Sequence, residues 1–453
     1  MAERYVVHVM IKQKYLYQIN MEEEKKSKKV ACLTTFYEWS KAYSLTSVVE
    51  EQLLSLLENG YTPILFVHDN FKDDAKVPTG VEIRKVVPRF QLIDYSGHQD
   101  PEPGFQEQVA KIKEAFKSHL KDVDFVFTHD LIFQGWFLPY NVGMREAAKD
   151  LPCKWFHWIH SAPSPRPENL VTPHVWRYAK MPNSKLVYMN HYDTLRVAEM
   201  YGGQLDDVRV VYNPLDLRSF FNYSPFVSNL IKKYDILSAD IVDVYPVSST
   251  RFTGKQVDKL LRVMGNLKKR GKKVRFICPN AHANAQREKS GIDYLIQKGI
   301  EFGLSRQDMI FTSYEGKEYE VGVSHEIVRE LFTLSNLFIF PTQSENCPLI
   351  LLEAAASKCL LVLNQSFAPL REFFGENALY FQFGSLTETV SYNNEEVWYE
   401  DVAKVIIAEL SKNRPINAFN KLRQKFNRDW IFKNQMEPML NEYDGSIDQA
   451  GKL

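Results

Sequence analysis

The segment FIFPTQSENCPLILLEAAASKCLLVLN, residues 338–364, decides the fold. It opens on an apolar run and passes through a short polar loop. It continues as a Leu- and Ala-rich stretch and closes on a second apolar run. Short apolar runs read as buried strands, and a helix-forming stretch between two of them reads as the crossover of a parallel pair. Glu345 and Glu353 bracket the apolar centre, eight residues apart. Carboxylates are rarely taken out of water without partners, so both acids need something to hold.

Pro348 suits the first turn of the helix, where a missing N–H costs nothing. Ser344 or Asn346 is placed to cap that helix. The free N–H groups around Pro348, Leu349 and Ile350 then make an anion site. The order is carboxylate, phosphate-sized donor pocket, carboxylate. Carboxylates accept well from paired hydroxyls. A nucleoside diphosphate sugar matches all three parts, with sugar on one Glu, phosphate on the amides and ribose on the other Glu. Taken alone, an E-x7-E spacing also describes a capped helix with a surface ion pair. The strand–loop–helix setting favours the ligand.

The same alternation runs through the chain. Residues 30–35, 122–130, 153–161, 185–190 and 208–213 read as strands, 59–69 reads as a turn and a strand, and 44–57 reads as a helix with apolar residues at helical spacing. A second strand series begins near Asp240, at 240–249, 273–280, 308–314, 336–342 and 360–364, with helices at 256–270, 291–302, 325–334 and 349–357. Two such series fit two doubly wound α/β domains facing a cleft. The turn-rich segment YNPLDLRSFFNYSPF, 212–226, reads as the junction. Ligands of open α/β sheets sit beyond the carboxyl ends of the strands, which draws attention to His129, His160 and Asn190.

Bulk properties are those of an ordinary globular chain of 453 residues, with Lys+Arg and Asp+Glu equal at 56 each. Zero net charge gives no global pull toward nucleic acid or anionic membrane. Cys32, Cys153, Cys278, Cys347 and Cys359 are scattered, and none forms a C-x-x-C pair, so neither a disulfide framework nor a zinc site is indicated. No run approaches a membrane span, and the first residues lack a signal-peptide core. A cytoplasmic protein with reduced thiols is the expectation.

The 338–364 segment resembles the E-x7-E region of GT-B glycosyltransferases, above all the retaining family 4. Two further stretches carry the resemblance. VSSTRFTGKQVDKLLRVM, 247–264, looks like the opening of that family's C-terminal domain, and VRVVYNPLDLRSFF, 208–221, looks like its domain junction. The C-terminal KFNRDWIFKNQMEPMLNEY, 425–443, is similar to its closing helix. The resemblance implies two Rossmann-like domains, at 1–218 with a crossing helix 426–445, and at 219–425. It implies that Glu345 holds the donor sugar and Glu353 the ribose. It gives the phosphate to the amides of Leu349 and Ile350, beside Asn346 and Pro348, and the diphosphate charge to Arg251 and Lys255. His160 matches a histidine that family members carry near the transferred sugar. The chain departs from the family in two places: NCP stands where glycines often follow the first Glu, and the loop after the first strand, TTFYEWSKAYSL, lacks a glycine pair.

The expected activity is retaining transfer of a hexosyl or pentosyl group from a UDP- or GDP-linked sugar, with no metal and no further cofactor. The acceptor stays open among glycans, proteins, small molecules and modified DNA bases. A non-catalytic nucleotide-sugar-binding scaffold and a nucleotide-sugar epimerase are the alternatives. Trp155, Trp158, Trp176 and Tyr178 are expected either to line an acceptor cleft or to fill core.

Overall fold

The computed structural model describes residues 27–345 and 348–442. Asn346, Cys347 and the end of the 426–445 segment lie outside the described residues. The chain forms two compact units: one runs to Leu215 and resumes at Arg428, the other is Asp216–Asn427.

Among the described residues, the first unit is built on seven strands: β1 (Lys29–Leu33), β2 (Thr62–His68), β3 (Glu82–Val87), β4 (Phe125–His129), β5 (Lys154–Trp158), β6 (Ser184–Tyr188) and β7 (Val208–Val210). They pair in parallel in the order β3-β2-β1-β4-β5-β6-β7. Side chains alternate across β1 and feed two cores. Val30 and Cys32 pack with Val49, Leu53 and Leu56 of α1 (Ser44–Glu58). Ala31 and Leu33 pack with Ile112 and Phe116 of α2 (Phe105–His119) and Met144 of α3 (Leu138–Ala148). A parallel sheet covered on both faces needs apolar residues at successive positions, which is why its strands read as unbroken apolar runs.

β3 is the exception. It is an edge strand of sequence EIRKVV, and charges on its solvent side hide it from an apolar pattern. The chain from Arg428 packs into this unit, with Ile431, Phe432, Met436, Met439 and Leu440 in the α1-side core. Arg428 anchors it, donating to Glu51 at 3.2 Å and Glu58 at 2.9 Å on α1.

The second unit contains β8 (Ile241–Val244), β9 (Val247–Ser248), β10 (Val274–Cys278), β11 (Asn280–Ala281), β12 (Met309–Phe311), β13 (Leu337–Phe340), β14 (Leu360–Asn364) and β15 (Leu379–Phe381). Six form a parallel sheet in the order β12-β10-β8-β13-β14-β15, and β9 pairs with β11. Its helices include α4 (Val257–Lys269), α5 (Gln286–Glu301), α6 (His325–Leu334), α7 (Leu349–Ala356) and α8 (Glu395–Lys412). α5 begins before the expected position 291, because its first turns, QREKS, carry no apolar stripe. Both units are thus doubly wound α/β domains, as the sequence implies.

Strand order reverses between β1 and β4 in the first sheet and between β8 and β13 in the second. The carboxyl ends of strands at such a switch point diverge their connections to opposite faces and leave a crevice. His129 closes β4 and Glu345 follows β13, and the other candidate residues stand on nearby strand ends, loops and helix starts.

Candidate functional site

In the second unit the site grows from the end of β13. Asp243 of β8 is fully buried and accepts from the Ile339 N–H at 2.8 Å, so a side chain replaces a ladder contact between the two strands at the reversal. Burial lifts its carboxyl well above the usual range.

Beyond β13 the chain turns through Pro341 and Thr342 toward Glu345. Two buried amides hold this turn. Asn364, at the end of β14, donates to the Thr342 carbonyl at 3.0 Å and the Gly384 carbonyl at 2.7 Å, and accepts from the Phe383 N–H at 3.0 Å. Gln256 donates to the Pro341 carbonyl at 2.7 Å and the Gly384 carbonyl at 3.0 Å. Gln256 itself has φ +50°, a left-handed backbone that costs a non-glycine residue about 1 kcal/mol. Its two side-chain bonds offset that cost.

The same turn that bends at Gln256 presents Lys255. Its ammonium group forms an ion pair with the Glu345 carboxylate. It also reaches Thr342 Oγ1 at 3.3 Å and the Ser344 carbonyl at 3.4 Å, and lies 5.8 Å from the Phe340 ring centre. The Lys255 side chain is 6% exposed and that of Glu345 21%. Burial and the neighbouring Arg251 guanidinium push the ammonium down to about 8, while the Glu345 charge opposes that shift, so Lys255 is cationic at neutral pH. Arg251 closes a short turn after β9 and is exposed. Its carbonyl accepts from the Lys255 N–H at 3.0 Å, which ties the two cations into one loop.

α7 starts at Leu349. Pro348 is its N-cap, one position earlier than the sequence suggests, and no described side chain caps the helix. Ser344 stands five residues before Leu349 and is not the cap, and its carbonyl accepts from Lys255 and Thr342. Pro348 has no N–H to offer a ligand, while the Leu351 N–H bonds the Pro348 carbonyl at 3.0 Å. That leaves the amides of Leu349 and Ile350 as the donors at the helix start. Leu349 is 68% exposed, so this end faces solvent.

Glu353, on the next turn, is half-buried and bonded through Oε1 to His325 Nε2 at 2.8 Å. His325 is the first residue of α6, behind the Ser324 cap. No spacing rule links it to Glu353. Only the packing of α6 against α7 brings it there.

The first unit carries His160 at the end of β5. Its Nε2 meets His129 Nδ1 at 3.0 Å, and the two rings stack at 5.2 Å. Asp130 accepts from the His160 N–H at 2.8 Å and from Gln134 Nε2 at 3.1 Å. Asp130 has φ +55°, a strained backbone that short polar side chains tolerate best. Burial pushes His129 and His160 down and Asp130 up, so both rings are neutral at pH 7. His157 faces away and bonds Thr128 Oγ1 at 2.8 Å inside the core. Asn190 accepts from the Asp193 N–H at 2.9 Å and so organises its own turn. Trp155, Trp158 and Tyr178 are core, and Trp176 is a surface ring beneath the Arg145 guanidinium.

Sequence reasoning thus finds Arg251, Lys255, Glu345, Leu349, Ile350 and Glu353 on neighbouring loops and helix ends of one unit. It misses His325, Asn364 and Asp130. The last two are polar residues at the ends of apolar runs, and that position was their signal.

Among the described residues no helix is long and apolar enough to cross a membrane. No protein-family model matches the chain, and no curated protein does. Solved structures do. A glycosyltransferase from Rickettsia africae ESF-5 is similar at 14% identity over 93% of this chain and 98% of its own, with a TM-score of 0.33. Anabaena Alr3699/HepE in complex with UDP and glucose is similar at 14% identity over 92% and 100%, with a TM-score of 0.32. The trehalose-6-phosphate synthase OtsA is similar at 13% identity over 93% and 99%, with a TM-score of 0.32. Likeness at this level does not bear on activity, and the fold rests on the two parallel sheets themselves.

Proposed function

We propose that the chain is a nucleotide-sugar-dependent glycosyltransferase of the retaining type, acting without a metal. The observation that carries this reading is the cluster at the end of β13: two cations, a solvent-facing helix start, and a carboxylate on either side of it. The donor diphosphate binds the Leu349 and Ile350 amides, next to Arg251 and Lys255. The donor sugar lies against Glu345 and the ribose against Glu353.

As the glycosidic bond breaks, negative charge grows on the leaving diphosphate. Fixed cations and aligned amides stabilise that charge without needing to reorganise. Lys255 is suited to this because its position is set by Thr342, Ser344 and Glu345 before any ligand arrives. Glu345 then exchanges part of its ion pair for sugar hydroxyls. His160 and its partners belong to the acceptor side, in the first unit.

The test is incubation of the full chain with UDP- and GDP-linked sugars while following nucleoside diphosphate release and the anomeric configuration of the product by NMR. Release that disappears in Glu345→Ala and Arg251→Ala supports the enzyme, and a product with the donor's configuration supports retention. Tight nucleotide binding without release under any acceptor supports a binding scaffold instead. Conversion of the donor sugar without an acceptor supports an epimerase.

A further inference from the structure

The first unit holds a cavity of about 570 Å³ at the carboxyl ends of β1, β2 and β4. It therefore opens where the strand order of that sheet reverses. The volume is that of a small-molecule site, for which about 300–1,000 Å³ is usual.

Its lining is of two kinds. Phe36, Tyr37, Tyr43, Phe90 and Phe137 contribute rings. His68, His129, Asp130 and Gln134 contribute polar atoms. Tyr37 and Tyr43 stand at 55% and 53% exposure, and each is braced. Arg89 lies 5.8 Å over the Tyr37 ring, and Phe36 meets Tyr43 edge-on at 6.1 Å. Two propped, exposed rings beside a polar floor are poorly explained by packing.

The charges narrow the ligand. Glu38 and Asp130 are the acids of the lining and Arg89 is its cation. His68 and His129 are both pushed down from the ordinary value by burial and add no positive charge at pH 7. A nucleic-acid backbone or a phosphorylated head group needs several cations, and this lining offers one. Asp130 accepts from the His160 N–H, from Gln134 and, at 3.5 Å, from Ser161 Oγ, while a carboxylate has about four acceptor positions. A sugar ring has an apolar C–H face for the aromatic rings and hydroxyls at its edge for carboxylate and amide.

We propose that this cavity binds a neutral saccharide, its ring against Tyr37 and Tyr43 and its hydroxyls on Asp130 and Gln134. As an acceptor site this rests on the glycosyltransferase reading; as a saccharide site it stands on the lining alone. Among the acceptors left open by the sequence, it selects a neutral glycan over DNA.

The experiment presents the full chain to an array of neutral gluco-, galacto- and manno-configured oligosaccharides, with sialylated and phosphorylated glycans and duplex DNA on the same surface. UDP and GDP binding are titrated in parallel. The expected result is binding of a neutral glycan, weakened roughly tenfold in Tyr37→Ala and in Asp130→Asn, with UDP affinity unchanged in Tyr37→Ala. Tyr37 and Tyr43 are exposed, so their alanine variants fold even if Asp130→Asn does not. The proposal is overturned if no neutral glycan binds, if only charged glycans or DNA bind, or if glycan binding is indifferent to both Tyr37→Ala and Tyr43→Ala. Glycan binding with neither UDP nor GDP bound upholds the saccharide site and overturns the glycosyltransferase reading.

Discussion

Lys255 and Glu345 arrive on two different loops of the second unit and meet as an ion pair beside the start of α7. Each is the other's partner in the free chain, so neither charge is left alone in a partly buried place. Removing one strands the other. Glu345→Ala and Lys255→Met are each expected to lower stability by about 1–3 kcal/mol, and the double variant by less than the sum. A double-mutant cycle in urea measures this. Additive losses would mean that the pair is not coupled.

Arg251 is exposed, and its removal touches little of the packing. Arg251→Ala is expected to shift stability by no more than about 0.5 kcal/mol. It is expected to weaken UDP binding by roughly 10- to 100-fold, the worth of one lost charge-assisted hydrogen bond. Calorimetric titration of UDP reads the effect. An unchanged affinity would remove Arg251 from the donor site.

Asn364 has the opposite profile. It is fully buried and supports the Pro341–Thr342 turn through several backbone hydrogen bonds. Asn364→Leu leaves those backbone groups unpaired and is expected to cost about 2–4 kcal/mol. Because Glu345 hangs from that turn, donor affinity is expected to fall with it. A denaturant melt with retained UDP affinity would show that the turn is held by other contacts.

The acid response of the first unit follows from its buried histidines. Burial pushes His157 down to about 3 from an ordinary 6.5, and His129 moves in the same direction. Between those values the unfolded chain takes up a proton that the folded chain refuses. Stability is therefore lost as pH falls from about 6.5 toward 3, and is regained as pH rises through that window. The melting temperature is expected to drop between about pH 7 and about pH 5, and to drop less steeply in His157→Gln. Equal slopes in the two proteins would show that His157 does not carry the effect.

What the sequence disclosed and what it withheld have a common physical cause. Strands covered on both faces, such as β1 and β13, are apolar along nearly all of their buried positions, and they are visible as short runs. The edge strand β3 is only partly covered, so its charges erase the signal. The proposed donor-side residues could be grouped from the sequence because Glu345, Leu349, Ile350 and Glu353 lie within a few turns of one another, where local geometry links spacing to position. His325 was not, because its bond to Glu353 spans two helices that only tertiary packing aligns. Asn364 satisfies backbone atoms from distant turns, and no pattern in the chain announces which carbonyls will need a donor. The cap was misplaced at Ser344 because the loop runs on to Pro348 before α7 begins, a length that no local pattern fixes.

The central claim is that a diphosphate docks at the start of α7. A crystal structure of the full chain with a UDP-linked sugar tests it most directly. The account predicts phosphate oxygens within hydrogen-bond distance of the Leu349 and Ile350 amides, cations from Arg251 and Lys255 beside them, and the ribose diol on Glu353. Density for the nucleotide at any other place on the second unit, with α7 untouched, would contradict it.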